Sequence, residues 1–361
     1  MRPGTSLGSL GALAAVCLGL ALHVGCAAPR AAPASSAAGA PAAGIGAAPE
    51  VEAPARVQMK TAYTTASATS APIWLAVEGG AFAEQGIDVD LNFIGAGPAI
   101  LGALSSQETP LVIAGANQAI DANLQGGQYV ILGGAMSFVT TGVWTVPAIQ
   151  RPEDLNGKTL GVSNFGAISH VALKIALNHW GLEEGRDVTV IRSGGTPETL
   201  AAMLSGAIHG GSFGLPQSVR ARELGFRELI DVATLRYELP TASVISTRAY
   251  VAQNPDVVER YLKALIRGVQ VYKTEQNLAV DAIMRYGRVD ERALAEETWA
   301  YFRDLFAEDL VLSPRGIENN LKLIAEENPE ALGARADQFL DSSFVERIKA
   351  SGYVERVKAG R

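Results

Sequence analysis

An α/β fold built as two lobes, with a hinge and a central ligand cleft, is what this sequence predicts, and three observations predict it. Short apolar runs alternate along the chain with helix-period segments, the pattern of strands joined by crossover helices in a largely parallel sheet. The alternation runs as two series, divided at Val146-Pro147 and followed by a return near residues 244–247. At 361 residues the chain is also too long for one ordinary domain.

The first series opens with a strand over residues 57–63, then a Thr/Ser/Ala-rich loop at 64–72 and a helix over 73–85 stopped by Gly86. The strand at 87–94 alternates, with Val89, Leu91 and Phe93 on one side and Asp88, Asp90 and Asn92 on the other. Gly95-Ala96-Gly97-Pro98 turns into another helix, and a strand at 111–114, a helix at 117–125 and a strand at 129–133 follow. The second series places strands at 159–162, 188–191, 211–214 and 230–233, with helices at 168–180, 197–205 and 216–224. After a return strand at 244–246 the chain is mainly helical, over 255–274, 275–286, 290–305, 314–327 and 345–351. Two crossings then assign 57–146 and 244–361 to lobe 1 and 147–243 to an inserted lobe 2. A cleft between lobes is a favoured ligand site.

One junction stands out. The strand at 159–162 breaks at Ser163-Asn164-Phe165-Gly166-Ala167 and turns directly into the helix at 168–180. Such a turn gathers free backbone N–H groups at one point, a ready site for an anion or polar solute.

The N-terminus reads as a targeting segment. Arg2 precedes an apolar run over 7–22, too short to favour a membrane span. Gly25 directly before Cys26 resembles a lipoprotein signal in which Cys26 is lipidated, although His23 stands where a large aliphatic residue is usual and Leu22 lies one place further back. An ordinary secretory signal with an incidental cysteine is the alternative. Residues 1–26 are thus a lipoprotein-type signal, and 27–56, almost wholly Ala, Pro, Gly and Ser, form a disordered linker. The expected location is periplasmic or otherwise extracytoplasmic, anchored to a membrane through the lipid. Cys17 and Cys26 are the only cysteines, so the body has none for disulfides, thiolate catalysis or metal ligation. A net charge of -7 without a basic tract gives no support to nucleic-acid binding.

Catalytic patterns are missing. There is no G-x-S-x-G, H-E-x-x-H or P-loop lysine, and the G-x-G at 95–97 lacks the third glycine of a dinucleotide fingerprint. His23, His170, His179 and His209 are scattered and make no metal site, and His170 reads as a solvated first-turn residue, with a position facing the solute as the alternative. No cofactor is expected. The charges at 291–297 and 326–335 look like solvated helix faces.

Several ordered segments carry a resemblance: APIWLAVEGGAF at 71–82, QGIDV at 85–89, PEDLNGKTLGV at 152–162, GGTPETL at 194–200 with LSGAI at 204–208, QNPDVV at 253–258, and the tail from DSSF at 341–344 to SGY at 351–353. Together they resemble the solute-binding proteins of ABC transporters for nitrate, sulfonate, taurine and thiamine-precursor solutes, over nearly all of residues 57–353. The resemblance implies the type II periplasmic-binding fold, a small-molecule solute held between the lobes, and delivery to an ABC permease in the inner membrane. Monomer is the default state. Many members have an Asp-Ala pair where this chain has His209-Gly210-Gly211, which leaves the local contact there open.

On that picture the cleft-facing loops are 64–72, 95–98, 114–118, 163–169 and 212–217, and none contains Lys, Arg, Asp or Glu. Capture would rest on hydroxyls, amides and backbone N–H groups. The expected ligand residues are Thr65, Ser67, Thr69, Trp74, Ala116, Asn117, Gln118, Ser163, Phe165, Ala167, Ser169, Ser212, Phe213 and Leu215, with Arg192 as the cleft cation. The bland alternatives are core or interlobe packing for Trp74, Phe165 and Phe213, helix capping for the hydroxyls, and plain surface positions for Arg192, Arg220 and Arg236. Nitrate, a sulfonate, a carboxylate, a pyrimidine and an amide all stay open as ligands. The competing functions are an enzyme of thiamine-pyrimidine-synthesis type, with Lys60 as a Schiff-base candidate, and a ligand-sensing module.

Overall fold

The computed structural model describes residues 55–95, 97–326 and 328–360. Cys26, the signal and the linker up to residue 54 lie outside the described residues. Within them the first series reads β1 (Val57–Tyr63), α1 (Ala71–Glu78), α2 (Ala81–Glu84), β2 (Ile87–Phe93), α3 (Pro98–Ser105), β3 (Leu111–Ala114), α4 (Ala116–Leu124) and β4 (Tyr129–Phe138). Then come β5 (Gly142–Thr145), β6 (Lys158–Val162), α5 (Ile168–Trp180), β7 (Val188–Arg192), α6 (Thr196–Leu204), β8 (Gly210–Phe213), α7 (Gln217–Glu223) and β9 (Arg227–Asp231). The chain returns through β10 (Glu238–Thr247) and ends in helices α8 (Arg248–Gln253), α9 (Pro255–Thr274), α10 (Gln276–Gly287), α11 (Arg292–Arg303), α12 (Pro314–Ile324), α13 (Ser343–Ala350) and α14 (Tyr353–Lys358).

Two five-stranded sheets result, ordered β2-β1-β3-β10-β4 and β7-β6-β8-β5-β9. In the first, β1 pairs in parallel with β2 and β3, and β10 runs antiparallel to β3 and β4. In the second, β6 pairs in parallel with β7 and β8, and β5 runs antiparallel to β8 and β9. Each sheet therefore takes its one antiparallel strand from the chain arriving out of the other lobe.

This topology fixes which edges face each other. β4 ends at Phe138 and β5 begins at Gly142, whose register partners are Phe213 at the end of β8 and Asp231 at the end of β9. A link this short spans at most about 14 Å. It ties the C-terminal edge of the first sheet to the C-terminal edge of the second. The return link does the same, because Glu238 at the start of β10 pairs with Phe138. Arg236 lies over the Phe138 ring at 5.2 Å and holds the two crossings together.

Three expectations are corrected here. The lobe boundary at 146/147 falls too late, since β5 belongs to the second sheet, and the return at 244 falls too late, since β10 already pairs with β4 at Glu238. The helix expected over 73–85 is two helices, broken where Gly80 takes φ 72°.

Lobe 1 is held by the twenty-residue α9, whose apolar face packs on α1 and the sheet. Tyr261 of α9 sits 2.7 Å from Thr61 Oγ1 of β1. Lobe 2 has its own core around Leu160, Val162, Leu173, Leu177 and Val188. Among the described residues no helix is long and apolar enough to cross a membrane.

Candidate functional site

The two facing edges carry the loops that follow β1, β2 and β3 in lobe 1 and β6, β7 and β8 in lobe 2. After β1, the hydroxyls of Thr65, Thr69 and Ser70 bond mainly among themselves: Thr65 Oγ1 lies 3.1 Å from Ser70 Oγ and 3.5 Å from Thr69 Oγ1. Ser70 Oγ donates to the Thr65 carbonyl at 2.9 Å. Ser67 stands at the start of the following turn, and its side chain makes no capping bond. Trp74 is fully buried, stacked on Tyr286 with centroids 5.4 Å apart and edge-on to Tyr63 at 5.5 Å. Its expected contact with a solute is corrected to core packing.

After β3, Ala116 is fully buried and only sets the backbone. Gln118 Oε1 accepts the Gly97 N–H at 3.0 Å and so ties the loop after β2 to α4. Asn117 beside it is exposed, and its side chain has no hydrogen-bond partner among the described residues.

In lobe 2, the junction after β6 is closed by Ser169, whose Oγ accepts the Ser163 N–H at 3.0 Å and meets Ser163 Oγ at 2.7 Å. These two serines are occupied with shaping the turn. The Ile168 and Ser169 N–H groups at the start of α5, with Ala167 as N-cap, have no acceptor among the described residues. Phe165 projects from the turn 51% exposed, edge-on to His170 at 5.2 Å. His170 is corrected: it is buried, its Nδ1 accepts the Gly166 N–H at 3.0 Å, and its Nε2 therefore donates to Glu184 at 2.9 Å.

Of the three arginines weighed, only Arg192, exposed at the end of edge strand β7, lacks a partner among the described residues. Arg220 pairs with Glu223 at 3.1 Å along α7, and Arg236 sits over Phe138 at the crossings. The open question at His209-Gly210-Gly211 has a packing answer. His209 Nδ1 accepts the Thr159 N–H at 3.2 Å, while a Cβ on Gly211 would collide with Thr199 Cγ2.

The loop after β8 leads to a feature that residue spacing does not reveal. Phe213 is buried and stacks on Trp144 with ring centroids 6.0 Å apart, and Leu215 packs against the lobe 1 core. Ser212 is buried with its hydroxyl unpartnered. Phe213 and Trp144 wall a cavity of about 410 Å³ that Glu228 and Asp231 of lobe 2 share with Tyr301 and Glu297 of α11 in lobe 1. Tyr301 donates to Asp231, with oxygens at 3.0 and 3.1 Å. Arg222 binds both oxygens of Glu297 at 2.8 and 2.9 Å. These bonds cross from lobe to lobe. Although Glu228 keeps an exposed face, burial of its carboxyl and the nearby Asp231 charge push it up to about 7, with Arg222 opposing. Tyr301 is raised by burial and the same carboxylates, so its phenol remains a donor.

Residues 67–279, more than half of the chain, match the family model described as NMT1/THI5 like. The chain belongs to the NMT1/THI5-like family. Its relatives include a putative binding protein, YtlA, of Bacillus subtilis, 22% identical over 59% of this chain and 65% of that protein. The taurine-binding periplasmic protein of Escherichia coli is 30% identical over 60% of this chain and 67% of its own length. The match thus spans about two thirds of the length of these relatives. Among solved structures, the periplasmic aliphatic sulphonate binding protein SsuA of Escherichia coli superimposes with a TM-score of 0.63 at 18% identity, over 76% of this chain and 94% of that one. The likeness establishes the periplasmic-binding-protein fold for this family member.

Proposed function

We propose that this chain is an extracytoplasmic solute-binding protein that captures a small organic or anionic solute between its lobes and delivers it to an ABC permease. The observation that carries this is the meeting of two C-terminal strand edges across two short crossings, with unengaged groups on both sides. Asn117 and Ser67 stand on lobe 1; the α5 N-terminus, Phe165 and Arg192 stand on lobe 2. A solute touching both sets stabilises the closed form, because only closure brings them together. The relatives that bind taurine and sulphonates support the same role. The protein acts as a monomer without catalysis, held near a membrane through Cys26.

Lys60 argues against the enzyme alternative. It lies in the middle of β1 rather than at the strand end, is exposed, and pairs with Glu108 at 3.0 Å. That pairing raises its pKa, whereas a Schiff base needs the neutral amine.

A thermal-shift screen of sulfonates, carboxylates, amides and nitrate tests the binding role. At least one class raises the melting temperature in a saturable way; no shift from any class contradicts the proposal. For the anchor, palmitate labels the wild type and not Cys26→Ser, and equal labelling of both contradicts it.

A further inference from the structure

The turn after β6 is strapped down by the first turn of the helix it leads into. Ser169 Oγ accepts the Ser163 N–H at 3.0 Å, and His170 Nδ1 accepts the Gly166 N–H at 3.0 Å. Gly166 itself stands at φ 73°, a conformation that only glycine adopts freely. On the far side of the ring, His170 Nε2 donates to Glu184 Oε2 at 2.9 Å. His170 is 7% exposed, so both ring nitrogens are committed away from water. Among the described residues, Glu184 is the one charged group bonded to this ring. The elements packed on α5 offer no competitor. β5, β8 and the turn at 232–235 carry no charge, and Lys158 stands at the opposite end of β6 from Ser163. Lys174, one helical turn further along α5, pairs with Glu326. In the turn that bears Glu184, Arg186 pairs with Glu183 at 2.5 Å and Asp187 at 2.7 Å.

An imidazole can fill both of these roles only when it is neutral. A second proton adds at Nδ1 and turns that acceptor into a donor facing the Gly166 N–H. The strap on Gly166 then has to release. We propose that His170 and Glu184 are positioning residues for the solute, holding the turn at 163–167 in its binding form only while the imidazole is neutral, so that acid weakens binding. The inference rests on the binding role proposed above and adds its regulation. Gly166 lies between the exposed Phe165 ring and the unengaged Ile168 and Ser169 N–H groups. Releasing it lets ring and helix start move apart, and a solute then meets them one at a time.

The test uses the chain labelled with ¹⁵N on its histidine rings, with His170 assigned through His170→Asn. At about pH 7.5 the His170 signals should be those of the Nε2–H tautomer. Finding the Nδ1–H tautomer overturns the proposal. The probe is whichever of methanesulfonate, trifluoroacetate, acetamide and nitrate most raises the melting temperature, since none of them changes charge in the range used. Wild type should bind it about tenfold more weakly at about pH 5 than at about pH 7.5. Asparagine places Oδ1 where Nδ1 stands and cannot ionise, so in His170→Asn the ratio between the two pH values should fall to about one. Glu184→Gln still accepts from Nε2 but lacks the charge that favours the imidazolium, so its loss of affinity should begin at lower pH. Parallel profiles for wild type and His170→Asn overturn the proposal, as does an unmoved profile in Glu184→Gln. Tighter binding in acid also overturns it, because that is an anion drawn to the imidazolium. A probe that binds without these differences removes the regulation and keeps the binding role. No binding by any of the four, with the tautomer as stated, removes both.

Discussion

Glu228 shows how one residue couples local environment to a measurable property. Its carboxyl is raised from an ordinary 4.5 to about 7, chiefly by burial. Between those values the folded chain holds more protons than the unfolded one, so this group's contribution falls as pH rises through the window and is lowest above it. Glu228→Gln cannot ionise. It should be more stable than wild type by about 1 kcal/mol at about pH 8, after discounting for the exposed face, and no different at about pH 4. Melting curves across pH check this, and a constant difference contradicts it. Arg192 is the complementary case on the outer strand. Arg192→Gln should weaken an anionic solute about tenfold and leave a neutral one unchanged, by calorimetric titration. Unchanged affinity for the anion would remove Arg192 from the site. Sequence singles out Arg192 as a charge at a strand end, and it is the last residue of β7. It could not flag Glu228, because a charged residue on an edge strand looks solvent-facing until Trp144 and Tyr301 are folded against it from far along the chain.

At the scale of elements, the contact of α11 with β9 and α7 joins the lobes by two bonds of unequal weight. Arg222 and Glu297 are 59% and 41% exposed, so their ion pair contributes little despite its two short contacts. Tyr301 and Asp231 are half-buried. Removing the phenol leaves a desolvated carboxylate with one donor fewer, a loss of about 1–2 kcal/mol. Tyr301→Phe should therefore lower the denaturation midpoint more than Arg222→Ala. The reverse order, or no effect of Tyr301→Phe, would show that the phenol does not join the lobes. Much of the element order was legible: strands at 57–63 and 111–114 and helices at 168–180 and 255–274 follow directly from apolar period and turn residues. β5 was not legible as a lobe 2 strand. Pro147 looks like the break in the sequence, yet the chain crosses at 139–141 with neither Gly nor Pro, because that link contains no turn.

For the whole molecule, the two-lobed fold was legible from the double series of strands and helices, and the family from its ordered segments. The site was legible in outline only. The expected loops are uncharged, but several of their hydroxyls serve the loops themselves, and Trp74 serves the core. Which polar groups remain for a solute is decided by hydrogen bonds between residues several positions apart, which spacing alone does not encode. Asn117 on lobe 1 has no side-chain partner among the described residues, and Phe165 on lobe 2 is 51% exposed and touches its own lobe at the His170 ring edge. The most direct measurement is calorimetric titration of the solute that most raises the melting temperature into wild type, Asn117→Ala and Phe165→Ala. A solute held between the lobes loses affinity about five- to tenfold in each variant, with melting temperatures of the free proteins unchanged. Wild-type affinity in both variants would contradict a solute gripped from two sides.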